Sequence, residues 1–156
     1  MRRLLPLSYL ALLCFVSVTG CGGASPVTYL AHAGNGVALI QWTRNGDTVR
    51  GSLSVAYVDP FDLIHLKSGH FAFRGTIRQS RVTLTFEGEP AFSTVWTGSL
   101  ERTRLTLAYT TAGGAPTTLR FEHGSIEQYD AAVAAIKALV TATRRNRQGR
   151  PAAQPP

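Results

Sequence analysis

Cysteine is almost missing from this chain: Cys14 and Cys21 are its whole complement across 156 residues. A disulfide framework is therefore excluded, and a metal site at either cysteine would need further ligands that the neighbouring sequence lacks. Lysine is equally scarce, with two residues against 14 arginines, a bias that suggests a GC-rich coding genome. Motifs of catalysis are missing as well. There is no G-x-S-x-G elbow, no H-E-x-x-H pair and no phosphate-binding glycine loop. An enzyme would have to be built from scattered residues that meet only in space. A basic domain face is not implied either. The formal charge is +7, but between Cys21 and Thr143 ten Lys and Arg stand against nine Asp and Glu. The excess belongs to Arg2 and Arg3 at one end and Arg144, Arg145, Arg147 and Arg150 at the other, so nucleic acid is not an expected partner.

What is present begins with three zones in order. "MRR" supplies positive charge, "LLPLSYLALLCFVSV" an apolar run, and "TGC" small residues before a cysteine. That order is the pattern of an export signal, and the apolar run is short for a spanning helix. Cys14 lies inside the segment that such a signal would lose, which leaves Cys21 without a disulfide partner. A catalytic thiol is also a poor reading, because reactive thiols sit in shaped electropositive sites.

With Val18, Thr19 and Gly20 before Cys21, the segment resembles the lipobox of bacterial lipoproteins. The resemblance covers residues 1–21. It implies removal of residues 1–20, a diacylglyceryl group on the Cys21 sulfur, no other cofactor, and anchoring at the extracytoplasmic face of a cell membrane. "GGASP", residues 22–26, then reads as a short tether.

From Val27 onward, short alternating segments separated by turn residues predict an antiparallel all-β meander of about eight strands. The expected strands are 27–33, 36–44, 48–58, 70–78, 81–87, 92–100, 104–111 and 117–123. An Asn45–Gly46 pair is a favoured two-residue turn, and centring the hairpin on it pairs Trp42 with Val49 and Ile40 with Gly51. "GTIRQSRVTLTF" (75–86) and "GSLERTRLTLAY" (98–109) repeat one hairpin unit. Their two-residue turns set Ile77 opposite Val82, Gly75 opposite Leu84, Leu100 opposite Leu105 and Gly98 opposite Leu107. Glycines at 51, 75 and 98 on the inward face mark sharp coiling, most simply that of a small barrel.

"SIEQYDAAVAAIKALVTATRR" predicts a helix over 125–143, with Ser125 and Gln128 forming a capping box. Tyr129, Val133, Ile136 and Val140 form an apolar stripe suited to the barrel wall or one mouth. Residues 144–156 have the composition of a basic disordered tail, whose arginines suit either solvent or anionic headgroups.

In strand number the plan resembles lipocalin-like and avidin-like barrels, and in its trailing helix the lipocalins, although "AHAGNGVALIQW" stands where lipocalins carry glycine-x-tryptophan. It also resembles the small β-rich lipoproteins of Gram-positive bacteria with GC-rich genomes. The expected role is non-enzymatic binding or interaction, with a small apolar ligand or an envelope protein as partner.

Two sets of site residues follow. Trp42, Phe73, Trp96 and Tyr109 fall on the expected inner face and are candidates for an apolar ligand pocket. The segment "YVDPFDLIHLKSGH" (57–70) reads as a loop, in which Asp62, His65 and His70 are candidate metal ligands. That loop is also where a small cell-envelope enzyme would be built.

Overall fold

In the computed structural model, residues 25–59, 62–88 and 92–148 are described. The expected signal segment, Cys21 and the end of the C-terminal tail lie outside them. Eight strands pair in chain order and close into an antiparallel barrel. They are β1 (Val27–Ala33), β2 (Gly36–Asn45), β3 (Thr48–Asp59), β4 (Asp62–Arg78), β5 (Arg81–Phe86), β6 (Val95–Glu101), β7 (Arg104–Thr110) and β8 (Pro116–His123). Closure comes from β1 against β8, with Tyr29 opposite His123 and Leu30 opposite Glu122.

The meander sorts its connections by end. The two-residue turns after β2, β4 and β6 all lie at one end, together with the start of β1 and the finish of β8. We call this the turn end. The β1–β2, β3–β4, β5–β6 and β7–β8 connections lie at the other, the mouth end.

Both repeat hairpins adopt the expected register, including Gly75 opposite Leu84 and Gly98 opposite Leu107. The first hairpin does not. Asn45 pairs with Thr48, so the turn is centred on Gly46–Asp47, Trp42 faces Gly51 and Ile40 faces Leu53. Gly46 takes φ +58°, while Asp47 is not among the residues of positive φ. A turn that needs positive φ only at its first central position recruits the glycine to that position, which displaces the Asn-Gly register. Gln79 (φ 56°) and Arg102 (φ 41°) occupy the equivalent first positions of the other two turns without being glycine.

The inward glycines have a steric cause. A Cβ added to Gly51, Gly75 or Gly98 would fall inside the carbonyl oxygen of Gln41, Thr83 or Thr106 on the neighbouring strand. Backbones approach that closely only where the sheet coils tightly, as an eight-stranded barrel requires.

A second correction concerns residues 57–70, read above as a loop. Strand β4 starts at Asp62, and the pairing with β3 continues through Tyr57↔Lys67 and Val58↔Leu66, with an irregularity between Val58 and Asp59. The β3–β4 hairpin is thus long. Lys67 Nζ donates to Asp59 Oδ2 at 2.6 Å near its tip. That hydrogen bond and the Asp59 charge raise the Lys67 pKa above the ordinary lysine value. At β6, by contrast, the strand begins later than expected. Phe92 makes an isolated bridge to Thr111, and regular pairing starts at Val95.

The barrel interior is filled by Ile40, Trp42, Val49, Leu53, Phe73, Ile77, Val82, Leu84, Leu105, Leu107 and Phe121, all at most 3% exposed. An eight-stranded barrel has room for little beyond such side chains. A separate buried set of Val37, Leu39, Ala56 and Val58 points outward and would face water without cover. Helix α1 (Ile126–Gln148) supplies part of that cover, packing on β2, β3 and β4 with Val140 buried against the wall. The capping box is formed: the Ser125 amide donates to Gln128 Oε1 at 3.0 Å, and the Gln128 amide donates to Ser125 Oγ at 3.3 Å. The helix runs to Gln148 and does not stop at Thr143, so residues 144–148 belong to it. Arginine is a good helix former and its charge suits a helix C-terminus. Arg144 also donates to the Ile64 carbonyl at 2.8 Å, tying this turn to β4. The helix therefore starts at the turn end and finishes at the mouth end.

Candidate functional site

The strands leave a hollow where the filled interior meets the mouth end. It has a volume of about 370 Å³ and is lined by Val55, Tyr57, Ser68, Gly69, Phe71, Phe92, Trp96, Tyr109, Thr111 and Leu119. Most stand at inward positions of β3, β4, β6, β7 and β8, set by the period-two alternation of the barrel, while Phe92 and Thr111 lie just outside the regular strands. Its surface is mostly apolar, with Thr111 and the Tyr57 and Tyr109 phenols as side-chain polar groups, while Ser68, opposite the outward-facing Ala56, turns its side chain to the outer face.

Aromatic rings build one side. Trp96 stacks on Tyr109 with ring centroids 4.3 Å apart and planes 15° apart. Phe92 meets Phe71, Phe86 and Trp96 at centroid distances of 5.0, 5.4 and 5.1 Å, each close to edge-on. Such tilted and stacked contacts add about 0.5–1.5 kcal/mol per pair beyond area burial. Phe92 is fixed although it stands outside the regular strands. Its bridge to Thr111 is flanked by Ser93 N donating to the Thr110 carbonyl at 2.8 Å and by Thr110 N donating to Ser93 Oγ at 3.0 Å.

Burial raises the pKa of Tyr109 above the ordinary phenol value, and burial does the same for Tyr29. Trp96 Nε1 is buried and, among the described residues, is the one such side-chain polar atom with no hydrogen-bond partner. A buried N–H left unpaired costs about 1–3 kcal/mol.

The candidate residues separate by depth. Trp96 and Tyr109 line the hollow, whereas Trp42 and Phe73 lie beneath it as part of the filled interior, each 3% exposed. Sequence reasoning missed Val55, Tyr57, Phe92 and Leu119 as lining residues. Phe71 is two residues from Phe73 and so shares its inward face, but its position along the barrel axis depends on the length of the β3–β4 hairpin.

Of the three metal candidates, two come together and the third stands apart. Asp62 Oδ2 and His65 Nδ1 are 2.7 Å apart, while His70 Nδ1 instead faces Ser54 Oγ at 2.9 Å across the β3–β4 pair. Among the described residues, no three His, Cys, Asp or Glu side chains are grouped to hold a metal ion.

A second depression, of about 430 Å³, lies outside the barrel between α1 and the β1–β2 turn. Small and aliphatic groups line it, including Val58, Ala132, Ile136 and Leu139. It is a gap in helix packing with no aromatic wall, and we regard the barrel mouth as the better-formed site. No protein family, curated protein or solved structure matches this chain in comparisons of sequence and fold.

Proposed function

We propose that this protein is a lipid-anchored envelope lipoprotein whose barrel mouth takes up a small apolar molecule without chemical change. The single observation that carries the binding role is the aromatic-walled hollow of about 370 Å³ at the mouth end. It falls in the size range of small-molecule sites and has their usual composition, an apolar wall with a few polar groups. A flat ring or short acyl segment suits the Trp96, Tyr109, Phe71 and Phe92 surfaces. One polar end on the ligand suits the Thr111 hydroxyl and the Tyr57 and Tyr109 phenols. The anchoring role rests on the order of charge, apolar run and small residues before Cys21.

Two measurements test the two halves. Wild-type protein should fractionate with membranes, and Cys21→Ser is expected to release it; unchanged fractionation would contradict the anchor. An environment-sensitive naphthalene dye should bind the purified protein at one site, with its emission shifted to the blue and with quenching of tryptophan. Absence of saturable binding by the dye and by short fatty acids would remove the binding role.

A further inference from the structure

The anchor and the barrel are joined at a defined end. Val27 opens β1 opposite Trp42, only a few residues from the β2–β3 turn, so the chain leaves the barrel at its turn end. The tether from Cys21 to Pro26 spans at most about 18 Å even when extended. Helix α1, which follows the barrel from turn end to mouth end, is 23 residues and so about 34 Å long. A lipid on Cys21 therefore holds the turn end close to the bilayer, with the mouth pointing away.

That end is rich in arginine. Arg44, Arg78, Arg81, Arg102 and Arg104 flank or form the three tight turns, against Asp47, Glu101 and Glu122 beside them and Glu127 in the first turn of α1, which starts at the same end. The ion pairs are long and open to solvent. Arg44 and Arg78 each stand 3.9 Å from Asp47, and Arg104 stands 4.0 Å from Glu122. Arg78 is 78% exposed. Pairs of that kind contribute little stability and leave most guanidinium donors available. A polar depression of about 420 Å³ between Arg78, Arg81, Gln79 and Ser80 is wide enough to admit a phosphodiester headgroup. The arginines of the C-terminal helix turn, Arg144, Arg145 and Arg147, lie instead at the mouth end beside Ile64.

We infer that the turn-end arginines form a docking face for an anionic lipid bilayer, which sets the barrel upright with its binding mouth directed outward. The inference rests on Cys21 being lipidated. Two basic groups sit at opposite ends of the molecule, and the short tether decides which of them meets the headgroups. Guanidinium groups bind phosphate oxygens through paired N–H donors, and the attraction is additive over several arginines near an anionic surface.

The test is arginine accessibility in the full lipidated chain, reconstituted into phosphatidylglycerol-containing or pure phosphatidylcholine vesicles. Phenylglyoxal labelling is read at each arginine by peptide mass spectrometry. Labelling of Arg78, Arg81, Arg102 and Arg104 should slow by about fivefold on phosphatidylglycerol and recover in high salt. Labelling of Arg144, Arg145 and Arg147 should be the same on both lipids. Equal turn-end labelling on both lipids, or protection confined to the helix arginines, overturns the proposal. Protection by soluble polyphosphate but not by phosphatidylglycerol also overturns it, reassigning the face to an acidic polymer. Failure of the anchor itself reads out separately, as Cys21→Ser protein that still fractionates with membranes.

Discussion

Trp96 and Tyr109 stack across β6 and β7 at 4.3 Å, and the pair divides the barrel into a filled interior below and a hollow mouth above. Phe86 packs on the Trp96 ring within the buried core, while Phe71, Phe92 and Leu119 share the lining of the hollow with the stacked pair. Truncating the stack should therefore affect binding more than closure of the barrel. Tyr109→Ala removes one wall of the hollow, and dye affinity is expected to fall about tenfold, the equivalent of one lost aromatic contact plus its buried area. Phe71→Ala should act alike. Trp42→Phe, deep in the interior, should lower the denaturation midpoint while leaving dye affinity unchanged. Titration of the three variants with the same dye checks all three statements.

Gly98 makes a sharper demand. Its missing side chain is the space that the Thr106 carbonyl occupies, and backbone cannot move aside as a flexible side chain can. Gly98→Ala should destabilise by about 3 kcal/mol or more, beyond the common range for a single substitution. Urea unfolding measures it. A loss below about 1 kcal/mol would mean that the sheet relaxes at this coil and that close packing is not why glycine is there.

The turns differ in how well their residues suit them. Gln79 holds φ 56° where Gly46, at the equivalent place, holds +58°. A left-handed conformation costs a non-glycine residue about 1–2 kcal/mol, offset in part by the greater freedom that glycine has in the unfolded chain. Gln79→Gly is expected to stabilise by about 0.5–1 kcal/mol, and Gly46→Ala to destabilise by a similar amount. Denaturant midpoints at unchanged slope would report both.

The architecture was legible because several signals agreed along the meander. Alternation, two-residue turns and the repeat of 75–86 at 98–109 all implied one register, and Ile77↔Val82 and Leu100↔Leu105 follow it. At the first hairpin alternation could not correct the turn rule, because a register shift of two residues keeps the same side chains facing inward. Asn45–Gly46 suggested the turn centre, but the need for positive φ at only the first central residue moved the centre to Gly46–Asp47. The run from Asp59 to Asp62 broke the alternation, so the continuation of the hairpin to His70 and its pairing with β3 were hidden. The site was less legible than the fold. Period-two alternation says which residues face inward but not how deep each lies along the barrel. Phe73 and Phe71 differ by one inward step, yet only Phe71 reaches the hollow. Depth depends on the stagger between strands, and that is set by the whole closed barrel.

Occupancy of the mouth should also be visible in alkaline titration. Burial raises the Tyr109 and Tyr29 pKa values above the ordinary phenol value, so both phenols stay neutral in the folded protein at a pH where the unfolded chain has ionised. For a group whose folded pKa is raised, the contribution to stability is present in full below the unfolded pKa, near 10, and is lost as pH rises through the folded value. Stability should thus be flat from neutrality to about pH 9 and fall above about pH 10. Tyr109→Phe should flatten part of that fall and remove one late-ionising phenol from the absorbance titration at about 295 nm, the usual phenolate band. A ligand seated over the Trp96–Tyr109 stack excludes more water, and desolvation raises an acid's pKa further. Dye-saturated wild type should then ionise later than free protein, whereas Tyr109→Phe should show no such difference. Identical titrations with and without bound dye would place the dye elsewhere on the molecule.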